Sequence, residues 1–136
     1  MEWAEIKTMK EGKILHDEFR DGMRFIIMKG PASLCAYIGL PIQHPLSGYD
    51  YDIIPLDCHG GLTYSGKGDG YRPEGFWWYG WDYAHSGDRC FYDDKYGDKL
   101  KEDKKWTVEK VIDDAWASIY TMKHLMELAE KIKAKG

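Results

Sequence analysis

Two histidines, His59 and His85, and three aspartates, Asp57, Asp82 and Asp88, fall within one quarter of the chain, in the stretches DCHGGLTYSG and GFWWYGWDYAHSGD. Imidazole and carboxylate side chains donate and accept hydrogen bonds, move protons and ligate cations. Here they stand among paired glycines and a dense set of aromatics. Aromatic faces, small residues and a few convergent polar groups are what small-molecule sites are made of. The block therefore predicts that the chain holds a small polar ligand.

Each group has a role in that reading. Trp77 and Trp81 supply flat surface for stacking. Gly60 and Gly61, with Gly66, let backbone N–H groups approach an anion. Thr63 offers a hydroxyl, and Arg72, His59 and His85 offer positive charge. Asp82 in mid-strand needs a partner, because an unpaired carboxylate is costly to bury. A ligand, His59 and Arg72 are the candidates. The expected pocket lies between the Gly60-Gly61 bend, the strand around Trp77 to Tyr83, and a turn carrying His85, Gly87 and Asp88. Plain sheet packing of the aromatics is the competing reading, since aromatics favour strands.

A second chemistry is open to the same residues. Asp57-x-His59 and Asp82-x-x-His85-x-x-Asp88 mix carboxylate and imidazole, a donor set that suits a divalent transition metal. A metal-dependent hydrolase would use these five. On a regular strand Asp82 and His85 point to opposite faces, so that reading needs a bulge or turn at Ala84. The HExxH pattern and Cys-rich zinc spacings do not occur. Ser65 and Ser86 lack a nucleophile-elbow context. GKGDG at residues 66–70 is too short for a dinucleotide fingerprint. No cofactor is expected, with a divalent metal as the alternative.

The elements that must position these residues are legible in part. Ile14 to Phe19 and Met23 to Met28 flank Arg20-Asp21-Gly22, and Asp-Gly is a tight-hairpin signal. Leu34 to Leu40 reads as a third strand. A loop follows from Ile42 to Asp52. Ile53 to Cys58 reads as a fourth strand, interrupted at Gly60-Gly61 and continued by Leu62 to Ser65. The alternation puts Asp57, His59, Thr63 and Ser65 on one polar side. Lys67 to Gly75 is a Gly- and Pro-broken connection, and Phe76 to His85 a fifth strand. Its two faces carry Trp77, Tyr79, Trp81, Tyr83 and His85, against Phe76, Trp78, Gly80, Asp82 and Ala84. Gly80 leaves a slot for a flat group or another aromatic. Arg89 to Lys105 has no clear period and reads as a loop or lid.

Thr107 can cap a helix that Trp106 staples through Val111. Val108, Val111, Ile112, Ala115, Ile119, Met122, Met126 and Ala129 recur at helical spacing. Together these predict an α+β fold: an antiparallel sheet of about five strands with one long C-terminal helix, Val108 to Ala134, packed across it. One domain is expected over 1–136, mainly β with loops in 1–105 and helical in 106–135. The helix stripe, with Trp116, Tyr120 and Met126, is wider than one sheet face needs, which predicts a homodimer.

The net charge of −4 argues against general nucleic-acid binding. No apolar run reaches the length of a membrane span, and the N-terminal segment lacks an apolar signal core. Cys35, Cys58 and Cys90 are an odd set without CxxC spacing. A soluble, reduced, cytoplasmic protein is expected.

HPLSGYDYD, DCHGGLTYSG and WWYGWDYAHSGD, in that order, resemble stretches shared by a widespread group of small proteins encoded by tailed phages and prophages. The likeness covers His44 to Asp88. Cys58 stands where that group carries an apolar residue such as Val, which favours packing over ligation at that position. The resemblance implies a phage or prophage origin and action in the cytoplasm of the bacterial host. It implies an anti-defence role: sequestering a nucleotide-derived host immune signal, or blocking a host defence protein. For the second, an exposed aromatic face rimmed by the acidic stretch Asp88 to Asp103 would meet the host protein.

Overall fold

The computed structural model describes residues 1–93 and 103–136. Its elements are α1 (Trp3–Lys7), β1 (Ile14–Arg20), β2 (Met23–Lys29), β3 (Leu34–Pro41), a 3-10 turn (Tyr51–Ile53), β4 (Tyr64–Lys67), β5 (Phe76–Asp82) and α2 (Val108–Lys135). The strands form one antiparallel sheet in the order β1-β2-β3-β5-β4, so the fold is α+β, as the sequence predicts. The first hairpin turns on Asp21 (φ 51°) and Gly22 (φ 82°). Positive φ at both central residues matches the right-handed twist of the flanking strands.

α2 lies across β2 and β3. Its Val111, Ala115, Ile119, Met122 and Met126 are buried against Phe25, Ile27, Ala36, Ile38, Tyr79, Trp81 and Tyr83. Thr107 Oγ1 accepts from Lys110 N at 3.3 Å, and so caps the helix as its sequence implies. α1, which carries no long periodic signal, is held by two apolar side chains and one cation. Trp3 and Ile6 enter the core, and Lys29 Nζ donates to Lys7 O and Met9 O at the end of the short helix.

The opposite sheet face is also covered, by a smaller cluster of Ile26, Met28, Tyr37 and Trp78. The slot over Gly80 is filled by the Tyr37 ring, which a Cβ at that position would strike. Of the two occupants that Gly80 allowed, the aromatic takes the place.

Two strand expectations are corrected. Ile53 to Cys58 is not a strand: Ile54 N bonds Tyr51 O, Leu56 N bonds Ile54 O, and Pro55 has no N–H to donate. Ile54 and Leu56 are buried while their neighbours are exposed, so an irregular segment mimics strand alternation. The fourth strand is instead Tyr64–Lys67. β5 stops at Asp82, three residues short of His85, for reasons that belong to the site. Of the segment read as a loop or lid, residues 94–102 lie outside the described residues.

Candidate ligand-binding site

Asp88 gathers the cluster. Its side chain is 4% exposed. Oδ2 accepts from His59 Nε2 at 2.6 Å and from His85 N at 3.0 Å, and Oδ1 accepts from Trp106 Nε1 at 2.7 Å. Burial pushes the carboxyl upward. The bonds from His59, the His85 backbone and Trp106 outweigh it, and hold Asp88 below its usual range. Ionised, it accepts all three protons, with His59 donating from Nε2. The His59 ring stacks on Tyr83 at 4.6 Å and meets Trp106 and His85 edgewise at 5.0 and 5.6 Å. The backbone returns here after the segment 94–102: Arg89 N and Lys104 N bond Lys104 O and Gly87 O, each at 2.8 Å.

The end of β5 brings in the other half. Asp82 Oδ1 accepts from Ala84 N at 3.1 Å, which turns the chain out of the sheet. Asp88 N then bonds His85 O at 2.8 Å. That turn removes the strand geometry which would have separated Asp82 from His85: His85 Nε2 stands 3.2 Å from Asp82 Oδ1. The approach is a close contact without hydrogen-bond alignment, and Nε2 is buried with no hydrogen-bond partner. Gly60 (φ 70°) lies flush on this ring, where any Cβ would collide with it. Sequence reasoning thus places His59, Gly60, Asp82, His85 and Asp88 in one neighbourhood, and the structure joins them.

The cluster borders a cavity at its Asp82–His85 end. Asp82, Ala84 and His85, with Pro31, Ala32, Ser33 and Cys35, line a cavity of about 300 Å³. Pro31 and Cys35 also line a second cavity of about 270 Å³, whose far end carries Tyr71 and Arg72 beside Tyr37 and Lys29. The two cavities border one another at the β2–β3 turn, with Pro31 and Cys35 lining both. Arg72 is fixed at that far end: Nε donates to Tyr64 Oη at 3.1 Å, Nη2 pairs with Asp69 Oδ2, and the guanidinium covers the Tyr64 and Tyr37 rings at 4.3 and 5.0 Å. Cys35, between the two halves, is pushed up to about 11, first by burial and then by Asp82, and is a neutral thiol at pH 7.

Other expected contributors stand elsewhere. Trp81 is wholly buried under α2, with Nε1 donating to Tyr83 Oη at 3.0 Å, so it offers no stacking wall. Trp77 is half-buried on that helix side, with Nε1 donating to Tyr49 O at 3.1 Å. The physical reason is that the helix claimed the odd-numbered face of β5 for its core. Gly61 has open space above it, and Thr63 is exposed, with its N bonded to Gly80 O. Asp57 is exposed and outside the cluster; its carbonyl accepts from Ser118 Oγ at 2.8 Å. The polar side expected of Asp57, His59, Thr63 and Ser65 does not exist, because only Ser65 lies in a strand and the other three precede it in irregular chain. Among the described residues, no group of three or more His, Cys, Asp or Glu could hold a metal ion. His59 and Asp88 are already committed to one another.

Sequence reading missed Cys35, Tyr37 and Tyr71 as residues lining these cavities. Their signal was weak: Cys35 and Tyr37 sit in an apolar strand, and Tyr71 in a turn-rich insert. No protein-family model, curated protein or solved structure matches the chain.

Proposed function

We propose that the protein binds a small polar ligand of nucleotide size in the paired cavities from Tyr71 and Arg72 to Asp82 and His85. The observation that carries the reading is a pair of adjacent cavities that share Pro31 and Cys35 and have chemically different far ends. Tyr71 is an exposed ring on which a base can stack, and the Arg72 guanidinium, which lines the same cavity, is a charged donor for a phosphate oxygen. Asp82 and the His85 edge accept and donate to hydroxyl or amino groups. Volumes near 300 Å³ fall at the lower end of the usual range for ligand pockets. The likeness to phage and prophage proteins adds the biological setting. The ligand is then a nucleotide-derived immune signal of the bacterial host, sequestered in its cytoplasm without turnover.

The test is calorimetric titration with mononucleotides and cyclic dinucleotides, with and without chelator, followed by chromatography of the released ligand. We expect one of them to bind and to be recovered intact. Tyr71→Ala and Asp82→Asn should each weaken it about tenfold or more, the range of a lost stacking contact or charged hydrogen bond. Binding unchanged in both variants places the site elsewhere. Turnover would replace sequestration with hydrolysis, for which His59, oriented by Asp88, is the base to test.

A further inference from the structure

The loop after β3 and the C-terminal end of α2 enclose a further cavity, of about 360 Å³. Leu46, Ile54 and Pro55 line it from the loop side, and Ala129 and Ile132 from the helix. It shares no residue with the two cavities of the proposed site, so the two are independent.

Both walls are fixed. His44 Nδ1 accepts from Leu46 N at 3.0 Å, which leaves Nε2 to donate to Glu130 Oε1 at 3.3 Å and ties the loop to the helix. Tyr79 Oη donates to Leu46 O at 2.7 Å, and Trp77 Nε1 to Tyr49 O at 3.1 Å, which ties the loop to the sheet. Tyr51 N donates to Ser65 Oγ at 3.0 Å. A cleft braced on both sides does not close by collapse of its walls. The same bonds use the carbonyls of Leu46 and Tyr49, so the loop turns mainly apolar side chains to the cavity.

The lining sets the chemistry of an occupant. Ile53 on the loop and Ile132 on the helix are 62% and 64% exposed, so apolar surface stands in water that a hydrocarbon would cover. One charge is present in the lining, on Lys133, and the Tyr49 hydroxyl is the other polar side-chain group. Glu130, one turn before Lys133, is engaged by His44. Among the described residues no carboxylate pairs with Lys133. Lys135 shares the last turn, so this end of the helix is cationic. One ammonium matches one negative charge, whereas a phosphate calls for more donors than Lys133 and Tyr49 supply. The volume falls at the lower end of the range of ligand pockets, which suits one short chain or ring.

We propose that this cavity binds a free carboxylate with a short hydrocarbon body. The body lies against Leu46, Ile54 and Ile132, and the carboxylate pairs with Lys133.

Methyl-resolved NMR titrations with hexanoate, octanoate and octanol, each below its micelle concentration, test it. Shifts should saturate at Leu46, Ile54 and Ile132. Octanoate should bind more tightly than hexanoate by about twofold to fourfold per added methylene, the scale of a buried CH₂. Lys133→Glu should weaken octanoate about fivefold, through a lost exposed ion pair and a gained repulsion, and leave octanol within about twofold. Ala129→Phe should fill the cavity and abolish binding of both, with the circular dichroism of the helix unchanged. Shifts that do not saturate at millimolar ligand, or that centre on other residues, would overturn the proposal. So would an equal response of octanoate and octanol to Lys133→Glu. Concentration-dependent shifts of the same methyls without ligand would make a second copy the occupant, and pelleting with phosphatidylglycerol vesicles would make it a membrane; either result overturns the free carboxylate.

Discussion

Asp88 receives three hydrogen bonds in a place that water barely reaches, and two of the donors come from side chains distant in sequence. Replacing it with Asn keeps the size but turns an acceptor into a donor facing one of these N–H groups. Such a change leaves a buried donor unpaired, worth roughly 1–3 kcal/mol, and urea melts will read it. The pH dependence follows from the same bonds. A carboxyl held below its usual range when folded adds stability that is present above about pH 4 and lost as pH falls through its folded value. Wild-type stability should therefore fall more steeply below about pH 4 than that of Asp88→Asn. Gly60 is the second residue whose identity is dictated. Gly60→Ala combines positive φ with a collision against His85, and should cost more than Gly61→Ala, which meets only the backbone strain of roughly 1–2 kcal/mol. Equal melting temperatures for the two variants would contradict the packing of Gly60 on His85.

β5 and α2 decide which aromatics are free to act. Trp78 fills the outer cluster, while Tyr79, Trp81 and Tyr83 are fully buried beneath the helix. Trp81→Ala should cost roughly 3–5 kcal/mol through the cavity it leaves, read as a lowered denaturant midpoint, rather than removing a ligand contact from an intact fold. Tyr83 ties the two elements together: its hydroxyl accepts from Trp81 Nε1 and donates to Asp114 Oδ2 at 2.7 Å. Tyr83→Phe strands the indole N–H in the core, so a loss of roughly 1–3 kcal/mol is expected with little change in volume. An unchanged unfolding curve would mean that these bonds contribute nothing net.

At the scale of the molecule, the sheet presents one face to a long helix and the other to its own loops. The loop around residues 68–75 reaches the sheet through Trp78 Nε1 to Pro73 O at 2.9 Å, Arg72 Nε to Tyr64 Oη at 3.1 Å and Gly68 N to Phe76 O at 3.2 Å, and is otherwise tied to itself by the Asp69 carboxylate and the Tyr71 and Arg72 amides. Segments so held open at lower free energy than core strands. Amide exchange should be slowest in β2, β3 and β5 and fast around residues 68–75. A nucleotide that seats in the paired cavities should slow exchange at Tyr71 and Arg72. Protection confined to other surfaces would place the ligand elsewhere. Among the described residues no helix is long and apolar enough to cross a membrane.

The sequence by itself determined the first hairpin, the third strand, the capped helix from Val108 onward and the α+β class. Each of these follows from local chemistry: Asp-Gly at the turn, period-two or period-3.6 apolar spacing, and Thr107 at the cap. It also brought His59, Gly60, Asp82, His85 and Asp88 into one neighbourhood, since glycine-broken segments that carry polar ends must close somewhere. Tertiary structure decided the rest. Ile54 and Leu56 alternate like a strand but plug the core from an irregular segment, because burial and not pairing set that alternation. Which face of β5 the helix would cover was symmetric in the sequence, as both faces carry Trp. Packing α2 on the Trp81 side buried the expected stacking wall. It left Tyr71 and Arg72, from a turn-rich insert, beside Cys35 and the Asp82 end of the sheet. No local spacing encodes that meeting, because those residues approach one another only when the strands pair.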